Sequence, residues 1–146
     1  MKTVIGREDK ADFPEFNLEN IAIKIDSGAY TSSLSCSNIK EIRKDGEKVL
    51  QYNVLDKKHE QYNSKAFFAR SYNLKKVKSS NGIVEERYRI ATEIIIFNER
   101  FNIYLTLTER KSMKFPVLLG RKFLNKKFVI DTAKKNISHK LKYKNK

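Results

Sequence analysis

The sequence predicts an all-β fold, on three observations. Short runs of β-branched and aromatic residues recur along the chain, turn-forming residues separate them at hairpin distances, and only one segment has helical character. In chain order, Ile21–Ile25 alternates branched residues with Ala22 and Lys24, and Lys48–Val54 alternates again after the turn Lys44-Asp45-Gly46-Glu47. Ala66–Phe68 is a short apolar run. Ser79-Ser80-Asn81-Gly82 carries the strongest hairpin dipeptide, Asn81-Gly82, between Leu74–Lys78 and Ile83–Tyr88. Arg87–Ile90, Glu93–Phe97 and Phe101–Leu107 follow, the last two joined by a turn at Asn98-Glu99-Arg100, and Phe128–Ile130 is the final strand. Arg121–Asn125, just after Gly120, predicts the one short helix.

The chain has 146 residues, 40% hydrophobic and 33% charged. That length lies within the ~100–150 residues of the commonest single domains, and the composition supports a buried core rather than disorder. One domain over residues 1–146 is expected, its core about 14–132, with mobile ends near 1–12 and a mobile basic tail near 138–146. No apolar run approaches the ~18–20 residues of a membrane span, and the N-terminus lacks the apolar core of a signal peptide. A lone cysteine, Cys36, cannot form an internal disulfide; a cytoplasmic protein with a structural thiol is expected.

Net charge is +14, from 31 Lys and Arg against 17 Asp and Glu. Such a charge attracts nucleic acid, acidic protein segments or anionic lipid. The basic residues are spread along the chain and are densest between Lys134 and Lys146, the pattern of a solvated tail, so nucleic acid is a possible but not the favoured partner.

The chemistry-bearing constellation has two pieces. Ile21-Ala22-Ile23-Lys24-Ile25-Asp26-Ser27-Gly28-Ala29 is an apolar strand running into an acid, a hydroxyl and a glycine, which alone is also an ordinary turn. Phe115-Pro116-Val117-Leu118-Leu119-Gly120-Arg121 places two apolar residues before a glycine and a helical turn after it. Together they resemble the retropepsin pattern, an apolar-apolar-Asp-Ser/Thr-Gly loop beside an apolar-apolar-Gly strand. Gly28 suits a tight turn and a close meeting of loops, the Ser27 hydroxyl can hold a neighbour, and Gly120 leaves room under the carboxylate. Two carboxylates ~3 Å apart share one proton; one draws a proton from water while the other donates to the scissile carbonyl.

The resemblance extends over about residues 14–132. Pro14–Leu18, Lys24–Leu34, Val77–Gly82 with Glu86-Arg87, Leu105–Arg110 and Phe115–Leu124 are similar to the bacterial retropepsin-like family long labelled ATP-dependent zinc proteases. It implies a single-lobed, closed β-barrel acid-protease fold and a homodimer that cleaves a peptide or protein substrate with one Asp26 from each copy. It also implies Asp26, Ser27 and Gly28 as the catalytic triplet, with Ala29, Thr31, Leu118, Leu119, Gly120 and Arg121 as supporting residues. Ser79, Ser80, Asn81 and Gly82 fall where retropepsins place a flap, and read equally as a lid or a surface hairpin. Arg121 reads equally as a tie to the dimer region or an exposed basic residue. Members of the family are often associated with an ATP-grasp glutamate ligase. Tyr30 stands where the family commonly has Arg, and Ser35-Cys36 where a His often follows.

Zinc and ATP find no support in the residues. His59-Glu60-Gln61-Tyr62-Asn63 begins like a His-Glu-x-x-His site but ends in Asn63, and the other imidazole, His139, lies in the tail. No phosphate-cradling glycine loop occurs among the five glycines, so no metal and no cofactor is expected. Phe128-Val129-Ile130-Asp131-Thr132 imitates the acidic motif, but Ala133 replaces the glycine and no room remains for a second lobe. The expected function is an aspartic endopeptidase; the alternatives are a non-catalytic binding module of the same fold holding an acidic partner, and a basic β-barrel whose Tyr and Phe stack on nucleic acid bases.

Overall fold

The structure is a computed structural model that describes residues 1–78, 81–109 and 114–144. In chain order the strands are β1 (Thr3–Ile5), β2 (Glu8–Phe13), β3 (Leu18–Ile25), β4 (Ser32–Lys44), β5 (Glu47–Val54), β6 (Phe67–Ala69), β7 (Asn73–Lys78), β8 (Val84–Ile96), β9 (Glu99–Thr108), β10 (Val117–Leu119) and β11 (Phe128–Ile130). A 3-10 turn, Pro14–Phe16, follows β2, helix α1 (Arg121–Leu124) follows β10, and helix α2 (Ile137–Lys142) follows β11. The fold is all-β.

The three expected hairpins form. β4 and β5 meet through Asp45 and Gly46, both with positive φ (53° and 79°), the backbone that a tight two-residue hairpin demands. β7 pairs with β8 from Asn73 opposite Arg89 to Lys78 opposite Val84, and Gly82 in the connection has φ 84°. The β8–β9 turn lies earlier than its polar residues suggest. Phe97 and Asn98 take the left-handed positions (φ 54° and 57°), while Glu99 and Arg100 already belong to the ladder. Arg87–Ile90 and Glu93–Phe97, read separately in the sequence, fall in one continuous strand up to Ile96, with Phe97 in the turn.

β3 and β2 pair antiparallel, β8 and β9 likewise, and β9 runs parallel to β4. β10 lies between β3 and β4, parallel to one and antiparallel to the other. The pairings thus run β10–β3–β2–β8–β9–β4 and return to β10. Where β2 meets β8 the ladder holds one register pair, Asp12 opposite Ile95, so the expected closed barrel is a ring of strands with a thin seam. Phe13, Ile21, Ile23, Leu34, Ile94, Leu105 and Leu119 are fully buried within it, each contributing about 1.5–3 kcal/mol through burial.

Both ends depart from expectation. Residues 1–12 are not a mobile lead-in: Ile5 is fully buried, β1 pairs in parallel with β11, and Asp9 is buried. The region near 138–146 is not a mobile tail over its described part, because 137–142 form α2, making a second helix besides the expected one. The Asp9 carboxylate accepts the backbone N–H groups of Ser138 and His139 (2.8 and 3.0 Å), and Lys142 Nζ donates to both Asp12 oxygens (3.0 and 2.8 Å) and to Asn20. Asn145 and Lys146 lie outside the described residues. Among the described residues no helix is long and apolar enough to cross a membrane.

Candidate active site

β3 ends at Ile25 and β4 begins at Ser32, so Asp26 opens the loop between two strands that clasp β10. The Asp26 N–H donates to Leu119 O (2.9 Å), continuing the β3–β10 ladder, and the Asp26 carboxylate is half-buried. Its Oδ1 accepts the Gly28 N–H at 3.0 Å, and its backbone oxygen accepts the Ala29 N–H at 3.2 Å. This local turn holds the carboxylate against its own loop while Ser27 and Gly28 stay exposed.

The Gly120 side of the site pins that loop. Arg121 and Lys122 donate their backbone N–H groups to Ala29 O and Tyr30 O, each at 2.9 Å. The Arg121 guanidinium reaches further, donating to Ser27 O at 2.8 Å, with its carbon 5.8 Å from the Tyr30 ring centre. Arg121 therefore ties α1 to the acidic loop within one chain, and Tyr30, standing where the family commonly has Arg, packs beside it.

Gly120 does not have the role expected of it. A Cβ on Gly120 would sit 2.5 Å from Thr31 O and 2.7 Å from Tyr30 O, so Gly120 makes room for the neighbouring backbone, not for the carboxylate. A Cβ on Gly28 would press on Asp26 Oδ1 at 3.3 Å, so the space beside the carboxylate belongs to Gly28. The buried Gly120 N–H is satisfied by Ser32 Oγ at 3.0 Å, and Ser32 O accepts the Thr106 hydroxyl at 3.2 Å. Sequence reasoning assigned no role to Ser32 or Thr106. Polar residues in otherwise apolar strand surroundings were the available signal.

The structure brings Asp26, Ser27, Gly28, Ala29 and Thr31 together with Leu118, Leu119, Gly120 and Arg121: Leu118 is opposite Ser33 and Lys24, and Leu119 is opposite Ile25. Asn81 and Gly82 lie at the end of the β7–β8 hairpin, whose Leu74, Ile83 and Val84 are exposed; Ser79 and Ser80 lie outside the described residues, as does Arg110. A cavity of about 250 Å³ lies between the end of the loop, Tyr30 to Ser32, and this hairpin, through Lys75 and Lys76.

The remaining candidates are structural. His59 is half-buried in the turns after β5, its Nδ1 accepting the Gln61 N–H at 3.0 Å. Among the described residues no group of three or more His, Cys, Asp or Glu is placed to hold a metal ion. Asp131 closes a turn, its Oδ1 accepting the Ala133 N–H at 3.0 Å. Cys36 is buried, and burial pushes its thiol far above the ordinary range, leaving it protonated and inert.

Comparisons place this geometry among known proteins. Residues 4–141 match a family designated RimB-like and described as retropepsin-like aspartic endopeptidase RimB. A Shewanella halifaxensis protein named probable alpha-L-glutamate ligase is 34% identical over 136 residues, covering 90% of this chain and 29% of that protein. A Desulfotalea psychrophila protein of the same name is 32% identical over 132 residues, 28% of its length. The chain therefore spans less than a third of these curated relatives. The crystal structure of Lpg0085 from Legionella pneumophila, a DUF785 protein of unknown function, superposes with a TM-score of 0.74 at 27% identity, covering 94% of this chain and 99% of that one.

Proposed function

The chain belongs to the RimB-like family of retropepsin-like proteins, and from that premise we propose that it is half of an aspartic endopeptidase, completed by a second copy. The observation that carries this reading is the pinned loop, which holds one half-buried carboxylate in register through Leu119, Gly28 and Arg121 while leaving Ser27 and Gly28 exposed for a partner. A rigid acid on a surface loop serves hydrolysis once a second carboxylate stands ~3 Å away, for only then does the pair hold a single shared proton. In a two-fold dimer the same loop supplies both. The ionised Asp26 takes a proton from water, which attacks the peptide carbonyl, while the protonated Asp26 donates to the carbonyl oxygen; as the tetrahedral species collapses, the first Asp26 passes its newly gained proton to the leaving nitrogen and the second regains one from the hydroxyl, so acid and amine depart and the shared proton is restored. The β7–β8 hairpin, with Leu74, Ile83 and Val84 exposed, serves as the lid over the bound chain.

The relatives named as glutamate ligases suggest which peptides to test first. A hydrolase sharing a chain with glutamate-joining chemistry has glutamate-containing peptides as its natural substrate class, and a net charge of +14 suits them. The buried, unreactive thiol suits work in the cytoplasm.

The test is subunit mixing. Asp26→Asn should abolish hydrolysis with the fold unchanged, and excess variant chains should poison wild type through mixed dimers, with specific activity falling on dilution. A strictly monomeric protein with concentration-independent activity would refute the shared site. EDTA should leave turnover unchanged; loss restored by zinc would instead indicate metal chemistry.

A further inference from the structure

The cavity beside the acidic loop is unusual in its charge. Five of its lining side chains are cations, Lys75, Lys76, Arg89, Lys122 and Lys127, and none is an acid. Among the described residues none of the five is paired with a carboxylate. Lys127 is engaged elsewhere, its Nζ donating to Phe123 O at 3.0 Å. Arg89 and Lys122 are held differently, because both lie against the ring of Tyr104, the guanidinium carbon 4.5 Å and the ammonium 5.1 Å from its centre. Arg89 Nε also donates to Asn73 Oδ1 at 3.1 Å, which fixes the plane of the guanidinium.

Like charges gathered in a concave, partly desolvated space repel one another, and an anion relieves the repulsion. The Tyr104 ring holds two of the cations by its negative face, so they are ordered before any ligand arrives. The position is also informative. Tyr30, Thr31 and Ser32, where the loop that begins at Asp26 runs into β4, line the cavity, and Lys75 and Lys76 come from the lid strand. A peptide held at Asp26 would present a neighbouring side chain to this space.

We propose that Arg89 and Lys122, braced on Tyr104, are the specificity-determining residues, receiving the carboxylate of a substrate side chain beside the bond cleaved at Asp26. The assignment rests on the peptidase reading, but the carboxylate site can be tested without turnover. In an Asp26→Asn background, binding of fluorescein-labelled hexaglutamate and hexaglutamine is measured by anisotropy at moderate salt. Adding Arg89→Gln with Lys122→Gln should weaken hexaglutamate binding roughly tenfold or more, the loss expected for charge-assisted bonds. The pair Lys57→Gln with Lys58→Gln, exposed residues outside the cavity with the same charge loss, should cost less than about threefold. Tyr104→Leu should fall between them. Lys122→Glu, on an exposed position that folding tolerates, should reverse the preference toward hexaglutamine. Equal losses from the two glutamine pairs, or equal binding of the two peptides by the parent, would overturn the proposal. If cleavage of both peptides is unaffected by the cavity variants, the peptidase reading stands and the specificity site falls. If hexaglutamate binding depends on Arg89 and Lys122 but no peptide is cleaved by wild type, the anion site stands and the peptidase reading falls.

Discussion

At the scale of single residues, the site depends on atoms that carry no chemistry. Gly120 tolerates no Cβ, because two backbone oxygens lie where it would sit, and Ser32 satisfies a buried N–H that water cannot reach. Gly120→Ala should therefore cost about 1–3 kcal/mol through overpacking, and Ser32→Ala a similar amount through the orphaned donor. Both would show in thermal unfolding. Asp26→Asn lies on a half-exposed loop and should leave the melting temperature within a degree or two while removing activity. Arg121→Ala frees Ser27 O from its tether, so it should lower turnover more than stability; parallel kinetics and calorimetry separate the two effects.

Among elements, the β7–β8 hairpin has a defined root. Glu41 of β4 accepts the hydroxyls of Tyr72 (2.6 Å) and Tyr88 (3.1 Å), whose rings meet edge to face at 5.8 Å. These hydrogen bonds, Tyr72 first, hold the Glu41 carboxyl below its ordinary range, and the same bond pushes the Tyr72 hydroxyl up to about 12. A carboxylate with a depressed pKa contributes stability at pH above its unfolded value and loses it as pH falls through the folded one. The hairpin root should thus loosen in acid below about pH 4, with hydrogen exchange of β7 amides accelerating there and Glu41→Gln producing the same acceleration at neutral pH. The elements also show what could be read from sequence. Asp45-Gly46 and the branched runs of β3, β5 and β9 declare themselves, because local backbone preference and burial agree. β4 does not: Ser32, Ser33, Ser35 and Ser37 interrupt its apolar pattern, and hydroxyls such as those of Ser32 and Ser37 are instead consumed by backbone partners just after β10 and just after β5. Likewise α2 reads as a charged tail because Asp9, Asp12 and Asn20, which hold it, come from the other end of the chain.

For the whole molecule, α2 closes a long-range clasp. Ser138 accepts the Phe97 N–H at 2.7 Å, so one short helix binds β2 and the left-handed β8–β9 turn together. Ending the chain at Asn136 should cost about 2–3 kcal/mol, on the order of 5–10 °C in melting temperature, and not merely reduce charge. Burial pulls the Lys142 ammonium down, but its hydrogen bond and attraction to Asp12, with smaller help from Tyr143 and Glu19, together outweigh it and raise its pKa. His139 is lowered, first by burial and then by Lys10 and Lys142, against the opposing pull of Asp9 and Asp12; its Nδ1 is buried without a hydrogen-bond partner among the described residues. For such a depressed imidazole the unfolded chain binds protons more readily, so stability drops as pH falls below about 6.5 toward the lower folded value. Detachment of α2 in mild acid should appear as loss of its amide protection before the ring unfolds, and His139→Phe should remove that step.

The placing of β10 between β3 and β4 also sets an order in time. Residues 117–119 must find partners near 23–25 and 33–34, contacts of high sequence separation that form slowly because the intervening chain must first be confined. Until they form, the Asp26 loop lacks the carbonyl, the arginine and the buried N–H that define it. The Asp26 loop precedes β10 in the chain and acquires its shape only when β10 has followed it and docked. In refolding experiments the hydrolysis proposed for Asp26 should therefore be the last signal to return, after the strand signature is complete.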